Sequence, residues 1–152
     1  INLATRDLVE DANYPRVGRL DFFDLDPLGT IARLPGRVAA AGLGAAQARE
    51  VHVPDTLDLV IGNPPYVRQE DVERKGDYAS AAALGGTTLS KRADLHAYFW
   101  PHATRFLRRD GGRLCFLTSS QWLDVDYGFA LQAWMLAHFE IEAIIESVDE
   151  PW

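Results

Sequence analysis

Four consecutive residues, Asn63-Pro64-Pro65-Tyr66, are of types that can do chemistry together. An amine on an aromatic ring is a poor nucleophile, because its lone pair is delocalised into the ring. Two oxygen acceptors aimed at its two N–H bonds favour a pyramidal nitrogen and free that lone pair. The Asn63 side chain offers one acceptor, and the Pro64 carbonyl offers the other. Each proline restricts the residue before it to an extended conformation. The corner is therefore stiff before any substrate arrives, which is how positioning lowers a barrier. Tyr66 adds a ring on which a base taken out of a duplex can stack. The plain alternative is a rigid turn, since two prolines fix the backbone after a strand.

The elements that must hold this corner are legible around it. Leu57-Asp58-Leu59-Val60-Ile61-Gly62 is a near-continuous apolar run bounded by turn formers, which reads as a strand buried in a parallel sheet and ending at Asn63. Residues 67–93 are polar and contain glycine, and they read as a mobile loop with a short helix near 69–74. Asp94 can cap a helix over 95–108, with Leu95, Tyr98, Phe99, Phe106 and Leu107 on its apolar face. Asp110-Gly111-Gly112 stops it. A strand over 113–118, a helix over 127–138 and a strand over 141–147 follow. Upstream, residues 1–13 carry a modest helical pattern that Tyr14-Pro15-Arg16 breaks. Residues 17–25 read as a short strand ending in an acidic loop. Residues 27–54 read as a loop-rich crossover with weak helical potential over 38–48. No internal repeat or linker is evident. This order predicts an α/β domain with a mostly parallel sheet. Ligands of such sheets sit beyond the carboxyl ends of the strands, and Asp21, Asn63 and Ser119 fall at or just after strand ends, so one cleft can hold all three.

Composition narrows the classes. With 152 residues, 47% of them apolar, the chain can bury a real core as one soluble domain. A formal net charge of −7 excludes a surface that grips a long phosphate backbone everywhere, so any DNA contact needs a local patch or other protein. Arg68, Arg74, Lys75, Lys91 and Arg92 flank the corner, and read either as phosphate contacts or as a solvated loop. No apolar run reaches membrane-spanning length, and the N-terminus has no signal core. Cys115 is the only cysteine, so no internal disulfide or zinc thiolate pair is expected, and a reducing cytoplasm fits. His52, His96, His102 and His138 lack the matched spacing of a metal site. Trp100, Trp122 and Trp134 read as packing residues. Ser119-Ser120 has no histidine that would make a nucleophile.

The stretch from Asp58 through Asn63-Pro64-Pro65-Tyr66 to Val67-Arg68-Gln69-Glu70 closely resembles the catalytic motif of the Eco57I-like bacterial adenine-N6 DNA methyltransferases. Asp94-Leu95-His96-Ala97-Tyr98-Phe99 resembles that family's next helix, where tyrosine is commoner than His96. The run from Asp110-Gly111-Gly112 to Gln121-Trp122-Leu123, then Tyr127-Gly128 and the segment from His138 to Glu146, are similar to its later elements. The resemblance covers residues 55–152, and residues 1–54 match loosely. It implies a Rossmann-like class I methyltransferase fold, S-adenosyl-L-methionine as methyl donor, and transfer to the N6 amine of a flipped adenine in restriction-modification or phage defence. Asn63, Pro64, Pro65 and Tyr66 would be catalytic, with Tyr66 stacking on the base. Asp21, Phe22 and Asn63 would contact the cofactor. A sulfonium is already an excellent leaving group, so no metal or strong base is required. The glycine-rich cofactor loop, the acidic ribose ligand and a target-recognition domain of the family are absent. The chain is therefore expected to be a partial catalytic domain lacking the first strands. Double-stranded DNA would be bound mainly through regions absent here, with restriction or defence subunits as further partners, no membrane, and a bacterial cytoplasmic location. Two other readings stay open. The same motif serves methylation of a protein glutamine or a ribosomal RNA base, and an inactive methyltransferase-like module could act as a DNA-binding or scaffold piece.

Overall fold

A computed structural model describes residues 18–34 and 49–147. Contacts divide the chain into two compact units, with the boundary between Asp55 and Thr56.

In the first unit, β1 (Thr30–Leu34) pairs antiparallel with β2 (Arg49–His52), with a register shift between Thr30 and Ala32. The sequence reading of 27–54 as a loop-rich crossover is corrected here, at both ends of that stretch. Its middle, 38–48, lies outside the described residues, as does the expected helix over 1–13. Thr30, Ile31 and Val51 bring β-branched side chains to a stretch that its proline and glycine content marks as loop. The strand expected over 17–25 is also corrected. Phe22–Asp24 form a 3-10 turn, because the Asp21 side chain accepts a hydrogen bond from Phe23 N at 3.0 Å and so favours a local turn over an extended chain.

The second unit is built on two parallel strands, β3 (Leu59–Gly62) and β4 (Arg113–Phe116), in register from Leu59–Arg113 to Gly62–Phe116. The α/β class and a parallel pair agree with the sequence reading. Full burial of β3 does not, since Leu59 and Ile61 are 51% and 72% exposed. In both strands exposed and intermediate residues alternate, so one face of the pair is the more open among the described residues. Residues 141–147 carry no ladder pairing, and Ile145 is 92% exposed, so the strand expected there is corrected too. A strand needs a partner edge, and this segment has no ladder partner among the described residues, although an exposed Arg113–Glu142 ion pair at 3.6 Å touches it.

Between the strands, residues 67–93 are more ordered than a mobile loop. A 3-10 turn over Gln69–Asp71 leads into α1 (Lys75–Leu84). Alanines at 79, 81, 82 and 83 supply helix propensity, and Ala81 and Ala82 are buried. Gly85 ends α1 against the backbone of Pro101, where a Cβ would collide with the Pro101 carbonyl. That close approach packs α1 on α2 (Leu95–Thr104). Tyr98 and Pro101 are fully buried there. The helix stops four residues before the expected 108. Leu57 N donates to the Phe106 carbonyl at 2.7 Å, and Arg108 N donates to the Leu57 carbonyl at 3.0 Å. Sheet pairing thus captures backbone groups that a longer helix would use. Gly111, at φ 73°, turns the chain into β4. A further 3-10 turn, Ser120–Leu123, precedes α3 (Asp126–His138). On α3, Leu131, Trp134 and Met135 are buried. The expected helix over 127–138 is reproduced.

Candidate active-site loop

Parallel pairing brings the carboxyl ends of β3 and β4 to one edge. The ladder runs one step past the strands, with Leu117 N donating to the Gly62 carbonyl at 3.0 Å. A Cβ at Gly62 would come within 3.1 Å of the Phe116 ring, so glycine lets that ring sit tightly across the strand pair. Trp100 meets Phe116 edge-on at 5.0 Å, and Trp122 lies 6.1 Å from Trp100. The tryptophans pack as the sequence reading expects, with Trp122 and Trp134 buried.

The chain leaves β3 at Gly62 and has no regular structure through 63–68. Pro64 is buried, whereas Asn63, Pro65 and Tyr66 are exposed. The segment is tied at both ends. Gly62 is held to β4, and the Val67 carbonyl accepts from Leu95 N at 3.0 Å, which satisfies a first-turn donor of α2. The four residues of the corner thus span two fixed anchors, and half of them are prolines.

Asp94 occupies the N-cap position of α2, with extended backbone, but its side chain makes no capping bond. The sequence reading of Asp94 as a side-chain cap is corrected. Its Oδ2 instead accepts from the Tyr127 hydroxyl at 3.0 Å, joining the start of α2 to the start of α3. Burial, with the adjacent Asp94 carboxylate, pushes the Tyr127 phenol far above its usual range. No local pattern announces this pair, because its members are 33 residues apart. Ser119 does behave as a turn residue, its hydroxyl accepting from Gln121 N at 3.3 Å.

A cleft of about 400 Å³ opens beside these groups. Arg68, Arg92, Asp94, Gln121, Asp126 and Tyr127 are on its walls. It begins two residues after Tyr66. Asn63, Pro64, Pro65 and Tyr66, consecutive in the sequence, lie on one anchored loop, and none of them lines this cleft. Asp21 and Phe22 belong to the other compact unit. Among the described residues no cluster of histidine, cysteine and carboxylates could hold a metal ion, and no helix is long and apolar enough to cross a membrane.

His96 lies behind the cleft wall, buried, its ring 6.5 Å from that of Tyr127 and its Nε2 without a hydrogen-bond partner. Burial lowers its pKa from 6.5, outweighing the opposing effect of Asp94. The folded state therefore keeps His96 neutral where the unfolded chain has begun to take up a proton. The His96 contribution to stability is full above pH 6.5 and is lost as the pH drops below that value toward the lowered folded pKa. Thermal melts between about pH 7.5 and about 5.5 should show this loss. His96→Tyr should flatten the slope, and an equal slope in the variant would reject His96 as its source.

Residues 44–151 match the Eco57I restriction-modification methylase family, and the chain belongs to that family. It is 37% identical over 137 residues to the Type II methyltransferase M.XamI of Xanthomonas campestris pv. amaranthicola, covering 84% of this chain and 25% of that protein. It is 35% identical over 118 residues to the Type II methyltransferase M.XhoI of Xanthomonas vasicola, covering 74% of this chain and 21% of that protein. The Type II methyltransferase M.PaeR7I of Pseudomonas aeruginosa is 31% identical over 97 residues, covering 62% of this chain and 16% of that protein. The chain thus spans about a quarter or less of the length of these relatives. No solved structure matches it.

Proposed function

We propose that this chain is part of the catalytic domain of a class I, S-adenosyl-L-methionine-dependent DNA methyltransferase acting on the N6 amine of an adenine flipped out of double-stranded DNA. The observation that carries the reading is the loop at 63–66, held between β3 and α2 at the carboxyl edge of a parallel strand pair. Family membership supports a restriction-modification role.

In this reading Asn63 Oδ1 and the Pro64 carbonyl accept the two N–H bonds of the amine. Preorganised acceptors cost no reorganisation when the nitrogen turns pyramidal. Pro64 and Pro65 keep those acceptors from relaxing away. The exposed Tyr66 ring stacks on the extruded base. S-adenosyl-L-methionine, when bound, supplies a methyl group on a sulfonium. Asp21 and Phe22 in the first unit, and Asn63 in the second, are the residues the family resemblance assigns to contacts with it. Asp21 is a half-buried carboxylate that accepts from Phe23 N, and Phe22 is a half-buried ring, residue types that suit the amine and the face of a purine.

The test is methyl transfer by the full chain to DNA, ribosomal RNA and release factor. Digested DNA should contain N6-methyladenine by mass. N4-methylcytosine instead would change the base assignment. Methyl-glutamine or methylated RNA with unmodified DNA would replace the substrate class, and no transfer to any of them would favour an inactive module.

A further inference from the structure

Of the five cations that flank the proposed catalytic loop, the structure distinguishes the three arginines. Arg74 is committed, with Nε 3.0 Å from Asp77 and its guanidinium 5.9 Å from the Tyr78 ring centre. Elsewhere in this unit Arg108 pairs with Asp58 at 3.0 Å and Arg113 with Glu142. Arg68 and Arg92 differ. They are 24 positions apart, on either side of α1, yet line the same cleft. Both are exposed, and neither guanidinium has an ion-pair or hydrogen-bond partner among the described residues. This holds although Glu70, Asp94 and Asp126 line the same cleft. Asp94 is engaged by the Tyr127 hydroxyl.

We propose that Arg68 and Arg92 form an anion seat in this cleft that takes a backbone phosphodiester of the DNA strand carrying the target base. The seat rests on the DNA-methylation reading of the loop at 63–66. A guanidinium fork matches phosphate oxygens and leaves its hydrogens available when no carboxylate holds it. A cleft of about 400 Å³ admits a nucleotide-sized group. The carboxylates on the same walls oppose a longer run of phosphates, so the seat is local. That fits a chain whose net charge is −7. Arg68 follows Tyr66 by two residues, so a phosphate clamped there sets the register of the neighbouring nucleotide at Asn63. Phosphate binding of this kind positions without reading sequence.

The experiment measures duplex DNA affinity of the full chain across a salt series. Removing one guanidinium that neutralises a phosphate should lower the slope of log affinity against log salt by about 1. Arg68→Ala/Arg92→Ala should therefore lower the slope by about 2. Arg68→Lys/Arg92→Lys should restore most of it, which also separates missing charge from misfolding. Arg74→Ala should leave it unchanged, because that arginine is held by Asp77. An unchanged slope in the double alanine variant, in an enzyme that still methylates DNA, overturns the anion seat alone. Weakened S-adenosyl-L-methionine binding with an unchanged DNA slope overturns it in favour of the cofactor carboxylate. A wild-type chain that neither methylates nor binds DNA overturns the underlying reading as well.

Discussion

Asn63→Ala is expected to lower methyl transfer by about 10²–10³-fold or more, the range for removing one preorganised polar group from a reacting centre. DNA affinity should stay close to that of the wild type, because in the proposed mechanism the side chain acts on the amine and not on the phosphate backbone. Asn63 is exposed at the end of β3, one residue past the Gly62–Phe116 register pair. Its removal exposes no core and breaks no ladder bond, so thermal stability should hardly move. Asn63→Asp keeps an acceptor oxygen on a side chain of the same shape and should retain more activity than alanine. Single-turnover methyl transfer, with DNA affinity measured in parallel, separates chemistry from binding. Full activity in Asn63→Ala would remove the residue from the mechanism.

The second large effect is structural. Trp134 is buried on α3, stacks on His138 at 5.1 Å, meets Phe139 edge-on at 5.7 Å, and donates from Nε1 to the Gly85 carbonyl at 3.1 Å. It therefore joins α3 to the end of α1, which itself leans on Pro101 of α2. Trp134→Ala removes that ring and leaves the Gly85 carbonyl without its partner. The expected cost is about 3–5 kcal/mol, as for other large-to-small core changes. For a chain of this size that is a fall in Tm on the order of 10 °C. Trp134→Phe should recover part of the packing but not the hydrogen bond. The measurement is a thermal or denaturant melt of the full chain. A shift within a few degrees would mean that α3 docks by other residues.

Legibility in the sequence followed the range of the interactions. The apolar run before Asn63, the helix over 127–138, and the strand from Arg113 are readable because periodicity and punctuation are local properties. The alanine-rich α1 is also local, yet the surrounding glycine and polar residues point toward a loop. The end of α2 escapes the sequence for a different reason. Nothing between 104 and 108 forbids helix; Leu57, half the unit away in sequence, competes for the same backbone groups. Asp94 likewise has the type and place of a cap, and only the approach of Tyr127 decides otherwise.

The proline-locked corner was determined by the sequence alone, since the pyrrolidine rings restrict their neighbours through sterics that need no distant partner. The stiff corner, the strand that delivers it and the acceptor types it carries therefore follow from the order of residues. Tertiary structure decided what surrounds it: the anchor of Val67 on α2, the Asp94–Tyr127 bond across two helix starts, and the meeting of Arg68 with Arg92 on one cleft. Each joins positions far apart in the chain. Such pairings depend on which faces the helices bury against the sheet, and that is settled by the packing of the whole unit.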